Sequence, residues 1–417
     1  MRRHRFEAYL DKVFHWTAQV ASMAEGRHRP DHPWPKVFAA VFLGSACQFG
    51  PLHRIEAECK KGVLQKRIGP LSEDCIGYAL QRQSPEEVFD RGCQVARQLK
   101  RNGVLRSGWA RGRVVAAVDG IEICSSYCRC CEACLQRTVQ RKVEGKLEPS
   151  IQYYHRLSAV TVVSTPFPVF LGIRFQKPGE TEVACSLALL QELVAKLGKR
   201  FVDILVADAL YLQTPFVKAL ESLGLEWVIN LKDNQPDLAA EAERLTDRLP
   251  DTGEANAQEQ LQLWHLPQVD WPVADRMVQV VKTVRVQNIK RVTLRNRDGR
   301  LIPEKQPAPV VSTNYYATNV DLGAIPPWFI HQLGRSRWVI DAQAFQTITT
   351  DCHLKQPSVH QPVAFVVLTM IRVLAYTLAL VFHFRQVRSH CRGAPPHFCQ
   401  TARQLAYAYL ALRFDSS

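Results

Sequence analysis

Acidic residues are the scarce class in this sequence. The 417 residues include 39 Asp and Glu against 53 Lys and Arg, a formal net charge of +14. That deficit argues against an acidic, self-solvating chain. It favours a polyanionic partner, of which nucleic acid is the commonest; an anionic membrane surface or a merely basic exterior would satisfy the same balance. Also missing is an apolar run behind the opening Met-Arg-Arg-His-Arg-Phe-Glu, so no secretory leader is expected and a cytoplasmic location is. In a reducing compartment the 13 cysteines are not read as a disulfide framework. Five of them crowd into 124–134 and the other eight are scattered, which suits free thiols plus one metal cluster. Apolar residues are not scarce: at 47% they exclude a disordered chain, and the length allows two or three domains. Only 362–384 is long and apolar enough to suggest a bilayer crossing. Arg372 near its middle would cost about 2.5–3.5 kcal/mol in lipid. A helix buried in a large core is expected there, and no membrane partner.

The informative stretch is Arg113-Val-Val-Ala-Ala-Val-Asp-Gly120. Its apolar run has no polar alternation, the pattern of a strand covered on both faces, and it ends in the carboxylate of Asp119. The same construction recurs in Phe201-Val-Asp-Ile-Leu-Val-Ala-Asp208. A carboxylate at the end of a buried strand needs a metal, a partner charge or hydrogen bonds. Either aspartate alone would serve as a turn cap; together they are the raw material of a divalent-metal site. Glu122 and Asp203 lie an odd number of residues from these two and face away in a regular strand. Glu180 and Glu182 are accounted for by a helix N-terminus.

Along the chain, 1–110 reads as a helical, basic, DNA-binding domain. Residues 1–112 hold 19 Lys and Arg against 11 Asp and Glu, although no helix-turn-helix signature is present. From 111 to 234 the pattern is strand, cysteine-rich loop (124–134), strands over 155–164 and 168–176, a helix over 180–197, the Asp208 strand, a short helix from Thr214-Pro215, and a strand over 226–232. That order is the order of a ribonuclease-H-like fold, an α/β class with a mixed sheet flanked by helices. Residues 235–322 read as a β-rich insertion domain, with strands from Met277, Val292 and Val310 and an Arg-Asp-Gly turn at 298–300. The last part of the core, with C-terminal helices, occupies 323–417. Its first helix would carry Arg335, Arg337 and Asp341, and bury Trp338, Ala342, Phe345 and Ile348.

Val-Asp119-Gly, Val-Ala-Asp208-Ala-Leu-Tyr, Lys232-Asp-Asn-Gln-Pro and Arg337-Trp-Val-Ile-Asp341 resemble the DDE transposases of bacterial insertion sequences. The likeness is to the group with a β-strand insertion and a Tyr-x2-Arg-x3-Glu-x6-Lys signature, the "IS four" type, and it covers about 110–385. It implies metal-dependent DNA cleavage and strand transfer at the element ends, with two Mg2+ or Mn2+ ions held by Asp119, Asp208 and Asp341. Arg337 matches the signature, whereas Gly334 stands for its Tyr, Asp341 for its Glu and Ile348 for its Lys. The expected partners are double-stranded DNA, through Arg337, Arg335, Lys232, Arg129 and Arg137, and a second copy of the chain in the DNA complex. The bound protein would lie on the bacterial nucleoid.

The cysteine loop has overlapping C-x-x-C pairs, which can each give two ligands to a structural zinc ion. Cys128, Cys130, Cys131, Cys134 and His155 are the candidates, with a thiol-rich hairpin as the alternative. A metal nuclease of the same fold, a decayed copy, or a zinc-stabilised DNA-binding protein without catalysis are the competing functions. Cleavage of a DNA end in Mg2+ or Mn2+ separates them.

Overall fold

The computed structural model describes residues 4–143, 146–255, 259–287, 310–323, 325–391 and 393–410. The turn expected at 298–300 and the strand from Val292 lie outside these. The chain forms two compact units, Met1–Phe201 with Trp338–Ser417, and Val202–Arg337.

The first unit opens with helices α1 (His4–Phe14), α2 (Trp16–Ala21), α3 (Trp34–Ala46), α4 (Leu52–Lys60), α5 (Gln65–Ile68), α6 (Glu73–Gln81) and α7 (Pro85–Arg101). Prolines in the first turns of α3 and α7 fix φ where the N–H has no intrahelical partner. Four strands and a helix follow: β1 (Val115–Ser126), β2 (Leu135–Val143), β3 (Lys146–Val162), β4 (Val169–Phe175) and α8 (Glu182–Leu197). β1 pairs antiparallel with β3, and the other edge of β3 carries β2 and then β4. The apolar run 114–118, which leads into β1, is 0% exposed throughout, as its unbroken pattern predicts. β2 is the strand that the sequence did not announce. Leu135-Gln-Arg-Thr-Val-Gln-Arg-Lys-Val is largely polar because the β2–β3 ribbon is solvated: Gln136, Arg137, Thr138, Gln140, Arg141 and Lys142 are all exposed.

The second unit comprises β5 (Ile204–Ala207), α9 (Thr214–Ser222), β6 (Glu226–Leu231), α10 (Pro236–Leu245), β7 (Thr252–Ala255), β8 (Glu259–Trp271), β9 (Arg276–Gln287), β10 (Val310–Thr318) and α11 (Pro327–Ser336). β5 and β6 are parallel. β10 joins β6 antiparallel, and β9, β8 and β7 continue outward in antiparallel order. The strand-rich insert therefore extends the β5–β6 sheet instead of folding apart from it. Antiparallel strands followed by α8, then β5, α9 and β6, give the ribonuclease-H-like α/β fold expected from the sequence.

The chain returns to the first unit through a π-helical turn, Ile340–Phe345, followed by α12 (Gln346–Thr350), α13 (Pro362–Phe382) and α14 (Phe398–Leu410). α13 lies against α3, α6 and α7. Phe382 of α13 meets Phe6 of α1 at 5.2 Å between ring centres, and Phe6 stacks on Phe42 of α3. The N-terminal helices thus share a core with the C-terminal one. In the α13 region, 89% of the most apolar window is buried, which accounts for its membrane-like composition. At the π-helical turn the expected stripe fails. Phe345 and Ile348 are buried, but Trp338 is 62% exposed and Ala342 faces solvent. A π turn winds more residues per turn than an α-helix, so a 3.6-residue stripe loses phase across it.

Two buried histidines make stability pH-dependent. Burial, with the charges of Arg335 and Arg285, pushes His331 down from 6.5 to about 4 despite the opposing charge of Glu259. Burial, with Arg388 and His397, does the same to His383. Both are kept as neutral hydrogen-bond partners, His331 with Thr283 and His383 with Thr401. The unfolded chain binds these protons first, so stability should be unaffected by them above pH 6.5 and fall as the pH drops from 6.5 to 4. Urea titrations of wild type and His331→Gln across that window would show a flatter pH dependence in the variant; equal slopes would remove His331 from the account.

Candidate active site

β5 stops at Ala207, one residue before its carboxylate. Asp208 caps a short 3-10 turn, Ala209–Tyr211, and its Oδ1 accepts the Ala209 N–H at 2.7 Å. Burial favours its neutral form. The Ala209 N–H, the charges of Arg337 and Lys232 and the Asn230 amide outweigh that, and hold the carboxyl below its ordinary 3.8. Lys232 Nζ stands 3.5 Å from Oδ1. The Lys232-Asp-Asn-Gln motif braces the same turn: Asn234 Nδ2 donates to Ala209 O at 2.6 Å and Gln235 Nε2 to Leu212 O at 2.8 Å. Trp271 Nε1 donates in turn to Gln235 Oε1 at 2.8 Å. Asn230 was missed from the sequence, although a lone amide in Trp-Val-Ile-Asn-Leu is a visible signal.

Of the expected DNA contacts here, Lys232 and Arg335 are exposed. Arg337 is not: at 5% exposure its charge acts on Asp208 from inside the protein, which corrects its expected role at the surface. Gly334 is covered by the ring of Tyr316 on β10. A Cβ at 334 would come within 2.0 Å of that ring.

In the first unit, Asp119 is half-buried at the end of the apolar run, opposite Ala159 in the β1–β3 register. Its Oδ1 accepts the Gly120 N–H at 2.8 Å. The π-helical turn that carries Asp341 packs against β1, so the elements bearing these two acids meet within one unit. Nothing in Ile-Asp-Ala-Gln-Ala-Phe signals such a turn. A further carboxylate lies nearby. A Cβ at Gly120 would come within 2.6 Å of Glu182 Oε1, so Glu182 reaches over the residue next to Asp119. Arg156 holds it at 2.6 Å. Glu122 is taken up by Arg137 through two hydrogen bonds of 2.9 and 3.0 Å, and Glu180 by Arg174 at 2.8 Å.

Among the cysteine-loop candidates, three donors converge: Cys131 Sγ, Cys134 Sγ and His155 Nε2. Cys128 and Cys130 are exposed and stand outside this group, because the turn between Cys131 and Cys134 directs only those two thiols at His155. Arg129 donates to His360 Nε2 at 2.9 Å, and Arg137, held by Glu122, also lies over the Tyr154 ring. Both guanidinium groups, expected to contact phosphate, make these contacts within the protein and stay exposed at the surface.

No curated protein matches this chain. Among solved structures, one match is a cryo-EM structure of piggyBac transposase, a synaptic complex with hairpin DNA. It is 11% identical, with a TM-score of 0.40, over 99% of this chain and 81% of that one. Residues 140–378 match the family described as "Transposase DDE domain". The match begins after Asp119, includes Asp208 and Asp341, and spans more than half of the sequence. The chain belongs to the DDE transposase family.

Proposed function

We propose that this chain cleaves and rejoins DNA at the ends of a bacterial insertion sequence, with Asp119, Asp208 and Asp341 as its three acids and Mg2+ or Mn2+ as its cofactor. Asp208 is the observation that supports this reading most. A carboxylate held below its ordinary pKa at a strand tip, beside two cations and on a turn braced by the Asn234 and Gln235 side chains, is costly for a mere cap. Carboxylate oxygens without thiolate or imidazole suit a hard divalent ion. When bound, such ions supply Lewis acidity at the phosphodiester. The chain's own residues do the rest. Buried Arg337 keeps Asp208 charged, and exposed Lys232 offers an ammonium to a DNA phosphate. The net charge of +14 draws duplex DNA to the surface. A homodimer on the paired element ends, in the cytoplasm and on the nucleoid, completes the proposal.

Asp341 provides the test. It is one methylene, about 1.5 Å, shorter than the family's glutamate. A misplacement of about 1 Å can cost about a hundredfold in rate. A π turn departs from the α-helical path, and the one that carries Asp341, packed against β1, would offset the short side chain. Asp341→Glu is therefore expected to lower cleavage of a labelled element end in Mg2+, and Asp341→Asn to lower it further. Strand-transfer products distinguish a transposase from a nuclease of the same fold. If the asparagine variant cut at the wild-type rate, Asp341 would leave the site; if glutamate raised the rate, the displacement would not be an adaptation.

A further inference from the structure

We infer that Cys124, Cys131, Cys134 and His155 form a closed structural zinc site at the base of the β2–β3 ribbon. The inference is independent of the acids and of the reaction proposed for them. Cys131 Sγ lies 3.6 Å from Cys134 Sγ, and each sulfur lies 3.4 Å from His155 Nε2. Bond lengths of about 2.3 Å to sulfur and about 2.0 Å to nitrogen place tetrahedral zinc ligands about 3.8 Å apart for two sulfurs and about 3.5 Å for sulfur and nitrogen. The three donors already stand within a few tenths of an ångström of that geometry. A disulfide requires about 2.05 Å between sulfurs. Cys131 O accepts the Cys134 N–H at 3.1 Å, closing the turn, and the Cys131 N–H donates to Cys134 Sγ at 3.2 Å.

The fourth donor follows from the β1–β3 register. Glu122 pairs with Arg156, but the next pair is Cys124 with His155, because a bulge takes up Ile123. Directly paired residues of an antiparallel ladder point to the same face, with their Cβ atoms about 4.5–5.5 Å apart. Cys124 therefore shares a face with His155 and lines the cavity that also holds Cys131 and Cys134. A rotation about its χ1 completes three thiolates and one imidazole. Four protein donors leave no open position, which marks a structural site instead of a catalytic one. Zinc would tie the 127–134 loop to the strand pair and fix the root from which the solvated β2–β3 ribbon leaves the sheet.

The full-length protein, purified without chelator, should contain about one zinc per chain by elemental analysis. Cys131→Ser, Cys134→Ser and Cys124→Ser should each lose it, whereas Cys128→Ser and Cys130→Ser should keep it. Cobalt exchanged into the wild-type site should give a sulfur-to-metal charge-transfer band of a three-thiolate site, which Cys124→Ser should not show. Should the serine variants fold poorly, limited proteolysis of the wild type settles the point: chelation should expose the 127–134 loop to cleavage and added zinc should protect it again. Protein without bound zinc that also takes up no cobalt would overturn the inference. So would a Cys131–Cys134 disulfide in freshly prepared protein, iron in place of zinc, or metal loss in Cys128→Ser with retention in Cys124→Ser.

Discussion

Asp208→Asn is expected to lower cleavage of a DNA end by about a thousandfold while leaving DNA binding intact. The amide keeps the shape of the carboxylate and its oxygen still caps the Ala209 N–H. What disappears is the charge, which Arg337, Lys232, Asn230 and Ala209 together maintain. Metal-assisted charge stabilisation is worth several kcal/mol, and about 4 kcal/mol corresponds to about a thousandfold in rate. Folding should change little, because Asp208 retains 36% side-chain exposure and its pair with Lys232 is solvated. DNA binding should be equal or slightly tighter, since one negative charge is gone. The measurements are single-turnover cleavage in Mg2+ and a binding isotherm at fixed salt. Wild-type turnover by the asparagine variant would refute the assignment of Asp208, and lost binding with normal cleavage of bound DNA would make it a docking residue.

The largest stability effect is expected at Arg372, which is 2% exposed in the middle of α13. Its guanidinium donates to Gly50 O at 2.9 Å, Gln356 O at 3.0 Å, His353 O at 3.3 Å and Ser358 Oγ at 3.2 Å. Burial depresses its pKa to about 10, so it remains charged at neutral pH. Two terms compete in Arg372→Met. Removing a desolvated charge stabilises, as replacements of buried ion pairs by apolar residues show. Stranding three main-chain carbonyls costs about 1–3 kcal/mol each. The carbonyls belong to two loops, around 50 and 353–356, that meet at this guanidinium, so one side chain cannot be lost without releasing both. The second term should win, with a net loss of about 3 kcal/mol or more. Chemical denaturation of the two proteins measures it, and a methionine variant as stable as wild type would show that the charge cost equals the hydrogen bonds.

The buried strand ending at Asp208 was legible because an unbroken Ile/Leu/Val run that stops at a carboxylate is a local pattern; the Asp119 run was legible as a buried strand, but its expected end was not, since β1 continues past Asp119 to Ser126. Legible too was the helix over Glu182–Leu197, whose cap Thr181 accepts the Ala184 N–H. The Lys232-Asp-Asn-Gln motif was recognisable, but its use was not: that Asn234 and Gln235 hold the Asp208 turn depends on contacts more than 20 residues apart in sequence. β2 escaped because a solvated ribbon lacks an apolar face. The pairing of Cys124 with His155 escaped because no local pattern marks the bulge at Ile123. Burial of Arg337 and exposure of Trp338 escaped because the π-helical turn breaks the helical period near them. The shared core of α1, α3 and α13 joins residues almost 380 positions apart, which no local window reports.

The Tyr316 ring over Gly334 also constrains how this sequence can evolve. A tyrosine at position 334 is forbidden while Tyr316 is present, since even one added carbon would enter the ring. Loss of Tyr316 alone would open a hole in the core beside Gly334 and His331. The two positions are therefore epistatic. A lineage carrying glycine at 334 and tyrosine at 316 can reach the reverse arrangement only through an intermediate that is either overpacked or hollow, so the glycine is held in place by its neighbour.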